Sequence, residues 1–290
     1  MNWVSLLFID AVCHQLRKST FLRISQLSGS WASFGVEHHK KRREFGFRCR
    51  ASQQEALYSL RDRAYSRRTM MADLNLEFDR ITYISCDSAY PDDSRVSLRE
   101  FERDVLPTVA SLVTNCCWPD LVPERRTLNR IFFNAFKNCH GFREISVNEQ
   151  GQNLRDFIAC QVELGNVQTL YFYGTGRKWP EEENIGETLK KFVSSTRFHT
   201  LISRDPLRGD YELLEFFLKL GIAKELKRGA YISVPGTNLD KNRLLALHPE
   251  CRHNSVKDAW RIPGSNLRIA LRHRVARRLH DHVHISMEVE

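Results

Sequence analysis

His280, His282 and His284 alternate along the chain, so on a β-strand their imidazoles share one side, and with His273 they could supply ligands to a metal ion. A zinc site needs a closed tetrahedral shell. The same alternation describes the solvent face of an edge strand whose other face carries Val283, Ile285 and Met287. Gly174-Thr175-Gly176-Arg177-Lys178 follows a strand-like segment and is the glycine cluster best suited to hold phosphate. It lacks the spacing of a P-loop or dinucleotide fingerprint, and Trp179-Pro180 stands where the phosphate-capping helix would begin, so it reads as a strand-to-helix turn. Cys117, Cys139, Cys160 and His140 are the types used in nucleophilic catalysis, but no cysteine sits in a nucleophile motif. Asp92-Asp93 and Glu181-Glu182-Glu183 follow prolines in loop-like surroundings, where solvated charge is the ordinary state. No catalytic residue, cofactor or metal is expected; binding of macromolecules is.

Composition agrees with an ordinary globular chain: 290 residues, 42% hydrophobic and 27% charged, enough to bury a sizeable core. The 8 cysteines are scattered without a CxxC pair, as expected of buried small hydrophobes in a reducing, intracellular setting, cytoplasm or nucleus. The apolar run Trp3 to Ile9 is too short to span a bilayer and has no basic residue before it, so it reads as an amphipathic helix; Ala11-Val12-Cys13 would make a poor signal cleavage site. Basic charge is concentrated at the start, where residues 1–70 hold 13 Lys/Arg against 5 Asp/Glu. The run Lys40-Lys41-Arg42-Arg43, continued by Arg48, Arg50, Arg61, Arg63, Arg67 and Arg68, suits nucleic acid, a nuclear address, or simply a solvated helix face.

Helical spacing opens the chain. Val4, Leu7, Phe8, Val12 and Leu16 recur at steps that place them on one side of a helix, and Phe21, Leu22, Ile24, Leu27, Trp31 and Phe34 repeat the pattern, with a break expected at Gly29. The helical module is expected over 1–47, ending as the chain turns extended at Phe45–Cys49; residues 48–78 read as a basic linker or a helix. Over 79–290 strand-like segments at 81–85, 143–147, 168–173, 198–202 and 230–234 alternate with helical ones at 98–113, 128–136, 154–164, 185–193 and 211–220. The strand centres Ile145, Leu170, Leu201 and Ile232 lie 25, 31 and 31 residues apart, one strand plus one helix per repeat. The expected fold is α/β: a small helical module, then an irregular helix–strand repeat forming a solenoid, with an ordinary parallel α/β domain as the competing form.

The N-terminal run Val4-Ser5-Leu6-Leu7-Phe8-Ile9-Asp10-Ala11-Val12, followed by Leu16, Leu22, Leu27-Ser28 and Trp31, resembles the F-box in the divergent form of the large nematode F-box families. The likeness covers roughly the first forty-five residues, including Lys40 to Glu44; the later array looks like the leucine-rich-repeat-like substrate region of the same proteins. Such a resemblance implies a protein without catalytic residues, whose module docks on the Skp-type adaptor of a cullin ubiquitin ligase through Val4, Leu7, Phe8, Val12, Leu16, Leu22, Leu27 and Trp31. The array would hold a protein substrate. Ser5 departs from the family, which usually has proline there, and this removes a rigid helix start and an apolar contact. Two other classes stand beside this reading: a basic nucleic-acid-associated protein, and an α/β enzyme with an unrecognised site.

Overall fold

Apolar residues at three- and four-residue steps give three short helices, α1 (Leu6–Gln15), α2 (Lys18–Ile24) and α3 (Ser30–Lys41). Gly29 separates the last two with φ +68, a conformation costly for any residue with a Cβ. The computed structural model describes residues 4–52, 54–62, 67–86, 92–118, 126–147, 151–173, 185–204, 210–235, 252–254, 259–261, 266–274 and 282–290. They form a mixed α/β protein that divides into two compact units, 1–145 and 146–290.

In the first unit the chain leaves α3 into β1 (Glu44–Ala51), turns back through β2 (Glu55–Asp62) to β3 (Arg68–Thr69), and passes a 3-10 turn at Met71–Asp73 to β4 (Arg80–Ser85). Then come β5 (Ser94–Ser97), α4 (Leu98–Glu100), a π-helical segment (Phe101–Val105), α5 (Leu106–Leu112), β6 (Val113–Trp118), α6 (Arg126–Phe136) and β7 (Phe142–Val147). β1, β4, β6 and β7 lie side by side and parallel, while β2 pairs antiparallel with β1 and carries β3 and β5. The described residues of 48–78 are therefore mainly strands with one 3-10 turn, not a linker or an α-helix. The alternation that makes β2 a strand is visible in its buried Ala56, Tyr58 and Leu60. A run of aromatic contacts, Phe47–Phe101–Phe132–Phe136–Phe142, with centroids 5.4 to 6.4 Å apart, joins sheet to helices.

The second unit contains α7 (Gln152–Leu164), β8 (Thr169–Phe172), α8 (Gly186–Val193), β9 (Thr200–Ser203), α9 (Asp210–Ile222) and β10 (Tyr231–Pro235). β8, β9 and β10 are parallel and adjacent in chain order, in register Leu170↔Leu201↔Ile232. The 31-residue spacing thus stacks three buried aliphatic side chains directly. Phe198 meets Phe192 of α8 and Phe217 of α9 edge to face, joining the helices beside these strands. The helix–strand rhythm then stops. β11 (Arg252–Asn254), β12 (Ala259–Arg261), β13 (Leu267–Arg274) and β14 (His282–Val289) form an antiparallel run that joins β10 through β14. β14, expected at an edge, lies between β10 and β13, with Ile285 and Met287 buried as expected.

Candidate functional site

The three N-terminal helices have two distinct faces. Ile9, Cys13, Phe21 and Ile24 form a closed apolar cluster, and Val4, Leu16, Trp31 and Phe34 pack against it partly buried. By contrast, Leu7 is 82% exposed, Phe8 56%, Leu22 55% and Leu27 51%, and Leu6 and Val36 are exposed too. Among the described residues most exposed large hydrophobics belong to this helical module, with Leu27 in the turn between α2 and α3. The eight residues that the F-box resemblance assigned to docking are therefore divided: Leu7, Phe8, Leu22 and Leu27 are exposed, Val4, Leu16 and Trp31 lean on the core, and Val12 is half-buried. The reason is that Ile9 and Cys13 supply the inward face of α1, so the neighbouring positions turn away from it.

Polar contacts fix this module to the first unit's sheet. The Lys18 backbone N–H donates to Glu44 Oε1 at 2.7 Å and its Nζ to the Arg42 carbonyl at 2.8 Å; Asn115 Nδ2 reaches the Gln15 carbonyl at 2.5 Å. Arg42 is fully buried, donates to the Leu16 carbonyl and lies 4.8 Å over the Phe21 ring. Burial brings its pKa down to about 10, which leaves it charged at neutral pH. Arg43 holds buried Asp79 with two bonds of 2.8 and 2.5 Å, and Lys41 pairs with Glu37 over the Phe78 ring. Farther on, Arg61 pairs with Asp92, and Arg68 donates to the Asp92 carbonyl and Ser94. Within the basic run only Arg42 is buried; Lys40, Lys41, Arg43 and Arg50 are exposed, with Lys41 and Arg43 paired at the surface.

Behind α1 lies a cluster that the sequence reading passed over. Asp10 Oδ2 accepts from His14 Nε2 at 3.0 Å and Asp10 Oδ1 from His38 Nε2 at 3.1 Å. The guanidinium of Arg80 contacts His14 Nδ1, and that of Arg42 lies 3.5 Å from His38 Nδ1. Because arginine only donates, both Nδ1 atoms are acceptors and both protons sit on Nε2. His38 is buried, stacked on Phe21 and edge-on to Phe78. Burial, then Arg80, lowers the pKa of His14 against the pull of Asp10; burial also lowers His38, opposed by the Asp10 hydrogen bond and reinforced by Arg42 and Arg80. For Asp10, burial is the largest influence and raises the pKa, but the two imidazoles together bring it below the ordinary carboxylate value. The three candidate ligand atoms lie within 4.8 Å of one another. A metal on both Nε2 atoms would drive their protons onto Nδ1, into the two guanidinium groups, so the arrangement suits hydrogen bonding and not coordination. The signal in the sequence was Asp10 and His14 four residues apart on one helix.

Comparison with protein-family models, curated proteins and solved structures gave no match to this chain.

The remaining candidates do not assemble into an active site among the described residues. Cys139 is buried, which raises its thiol to about 11; burial and neighbouring Glu144 raise Cys117. Thiols held so high are poor nucleophiles at neutral pH. His140 is exposed and Cys160 half-buried. A cleft of about 730 Å³ is lined by Lys18, Arg43, Asp62, Arg67, Arg68 and Asp73, a mixed set already partly paired. Gly174–Lys178, Glu181–Glu183 and His280 lie outside the described residues, as do the side chains of His273, His282 and His284. No helix of the described residues is long and apolar enough to cross a membrane.

Proposed function

We propose that the chain is a non-enzymatic substrate receptor of a Skp–cullin–F-box type ubiquitin ligase, its N-terminal helices docking on the Skp-type adaptor and its repeat region holding a protein substrate. The observation that carries this is the exposure of Leu6, Leu7, Phe8, Leu22 and Leu27 on a module that has its own inward apolar core. An amphipathic helix with anchors on its free face is the usual means of seating in a partner's groove. The resemblance of the same residues to an F-box names the partner. Of the expected docking residues, Leu7, Phe8, Leu22 and Leu27 make the contact, while Val4, Leu16 and Trp31 support it from beneath.

The in-register ladder Leu170↔Leu201↔Ile232, with helices of one sequence period between its strands, supports a leucine-rich-repeat-like array over part of the second unit. The chain-order sequence of β8, β9 and β10 has no reversal of the kind that forms a ligand crevice in doubly wound enzymes, which favours a binding surface over a nucleotide site.

Full-length protein mixed with purified Skp-type adaptor should form a complex that Leu7→Asp or Phe8→Asp abolishes while the circular dichroism spectrum stays unchanged. Undiminished binding by both variants rejects the docking face. Trp31→Ala should also weaken binding, but through loss of packing, since Trp31 leans on the core.

A further inference from the structure

We propose that Asp10, His14, His38, Arg42 and Arg80 form a proton-operated latch that fastens α1 to α3 and β4 while both imidazoles are neutral and releases α1 on acidification. The latch concerns the inward side of α1 and stands whatever docks on its outward side.

The geometry makes each imidazole a two-way connector. On one side its Nε2–H donates to a carboxylate oxygen of Asp10, one oxygen for each histidine. On the other, its Nδ1 receives a guanidinium: Arg80 from β4 for His14, Arg42 from the end of α3 for His38. Only neutral imidazole can donate and accept at once. Protonation places an N–H on Nδ1 against the arginine, cancels that hydrogen bond and sets two like charges in contact.

The surrounding charges leave little to absorb this. α1 contributes Asp10 and the buried thiol of Cys13; β1 contributes Glu44, which accepts from the Lys18 backbone. The turn before β4 contributes Asp79, already committed to Arg43, and Glu77. Within the cluster itself Asp10 faces two arginines at neutral pH and would face four cations if both histidines were protonated. Asp10 attracts each imidazolium, but burial and the arginines outweigh it, so both histidines titrate below their ordinary value of 6.5. The sign follows: the unfolded or released form binds protons first, so the latch is complete above pH 6.5 and weakens as pH falls through and below that value.

The test uses the full chain. Amide hydrogen exchange of residues 6–15 is followed from pH 7.5 to 5, after correction for the intrinsic pH dependence of exchange. Opening of α1 should rise by up to about tenfold per pH unit for each titrating imidazole, while amides of α7 change little over the same range. In His14→Gln, whose amide can still donate and accept but cannot be protonated, the rise should be clearly shallower. A flat wild-type profile, or a His14→Gln profile as steep as wild type, overturns the latch. If His14→Gln fails to fold, NMR titration of the wild-type imidazoles decides: values below 6.5 for both support it, and a value at or above 6.5 for either rejects it.

Discussion

Without its side chain at position 42, the chain would leave the Leu16 carbonyl and His38 Nδ1 without their donor in a buried setting and open a gap beside Phe21. Arg42→Ala should therefore destabilise the fold by about 3 kcal/mol, read from denaturant unfolding. Arg42→Lys should recover only part, because an ammonium cannot span both acceptors and stack on the ring. A loss under 1 kcal/mol for Arg42→Ala would show the residue to be peripheral. Ser5 sets the start of α1 with φ −55 and no side-chain cap. That angle is open to proline, so Ser5→Pro should pre-order the helix and tighten adaptor binding by up to about fivefold, measured by titration calorimetry. Unchanged or weaker binding would count against the position's role. At this scale sequence reading reached only local relationships. Asp10 and His14 share a helix, but His38 lies 28 positions beyond Asp10, Arg80 66 beyond His14 and Arg42 26 beyond its partner Leu16, and no periodicity joins them.

Between elements, α3 passes close to the end of α2, where a Cβ on Gly35 would lie 2.8 Å from Ile24 Cγ2 and from the Ser25 backbone nitrogen. Gly35→Ala should push the helices apart and cost about 1–3 kcal/mol of unfolding free energy, with weaker adaptor binding in proportion. In the repeat ladder, Leu201→Ala removes a side chain stacked between Leu170 and Ile232, and should cost about 2–5 kcal/mol in the same measurement. The amphipathic helices and most buried parallel strands were legible because their periods are strong and uninterrupted. Other strands were not. β2 mixes Ser59 and Arg61 into its alternation, and β6 follows α5 without a break and contains Asn115 at φ 47, which interrupts the period-two pattern. β11 to β13 are carried by cross-strand pairing that local spacing does not announce.

At the scale of the molecule, the basic start of the chain loses part of its apparent meaning. Arg42 and Arg61 are covered, and Lys41, Arg43 and Arg68 are paired with groups of the protein, so part of the sequence charge is balanced locally. The apolar positions gain meaning instead: of the residues that resemble an F-box, part build a small core and part are left outside it. Sequence periodicity located both sets but merged them, because a helix that is apolar on two sides satisfies the same spacing rule. Binding of full-length protein to purified Skp-type adaptor, compared between wild type and Leu7→Asp, tests the ubiquitin-ligase reading most directly. Saturable binding by wild type, lost in Leu7→Asp with the fold intact, is the predicted result; no binding by wild type, or equal binding by both, contradicts it.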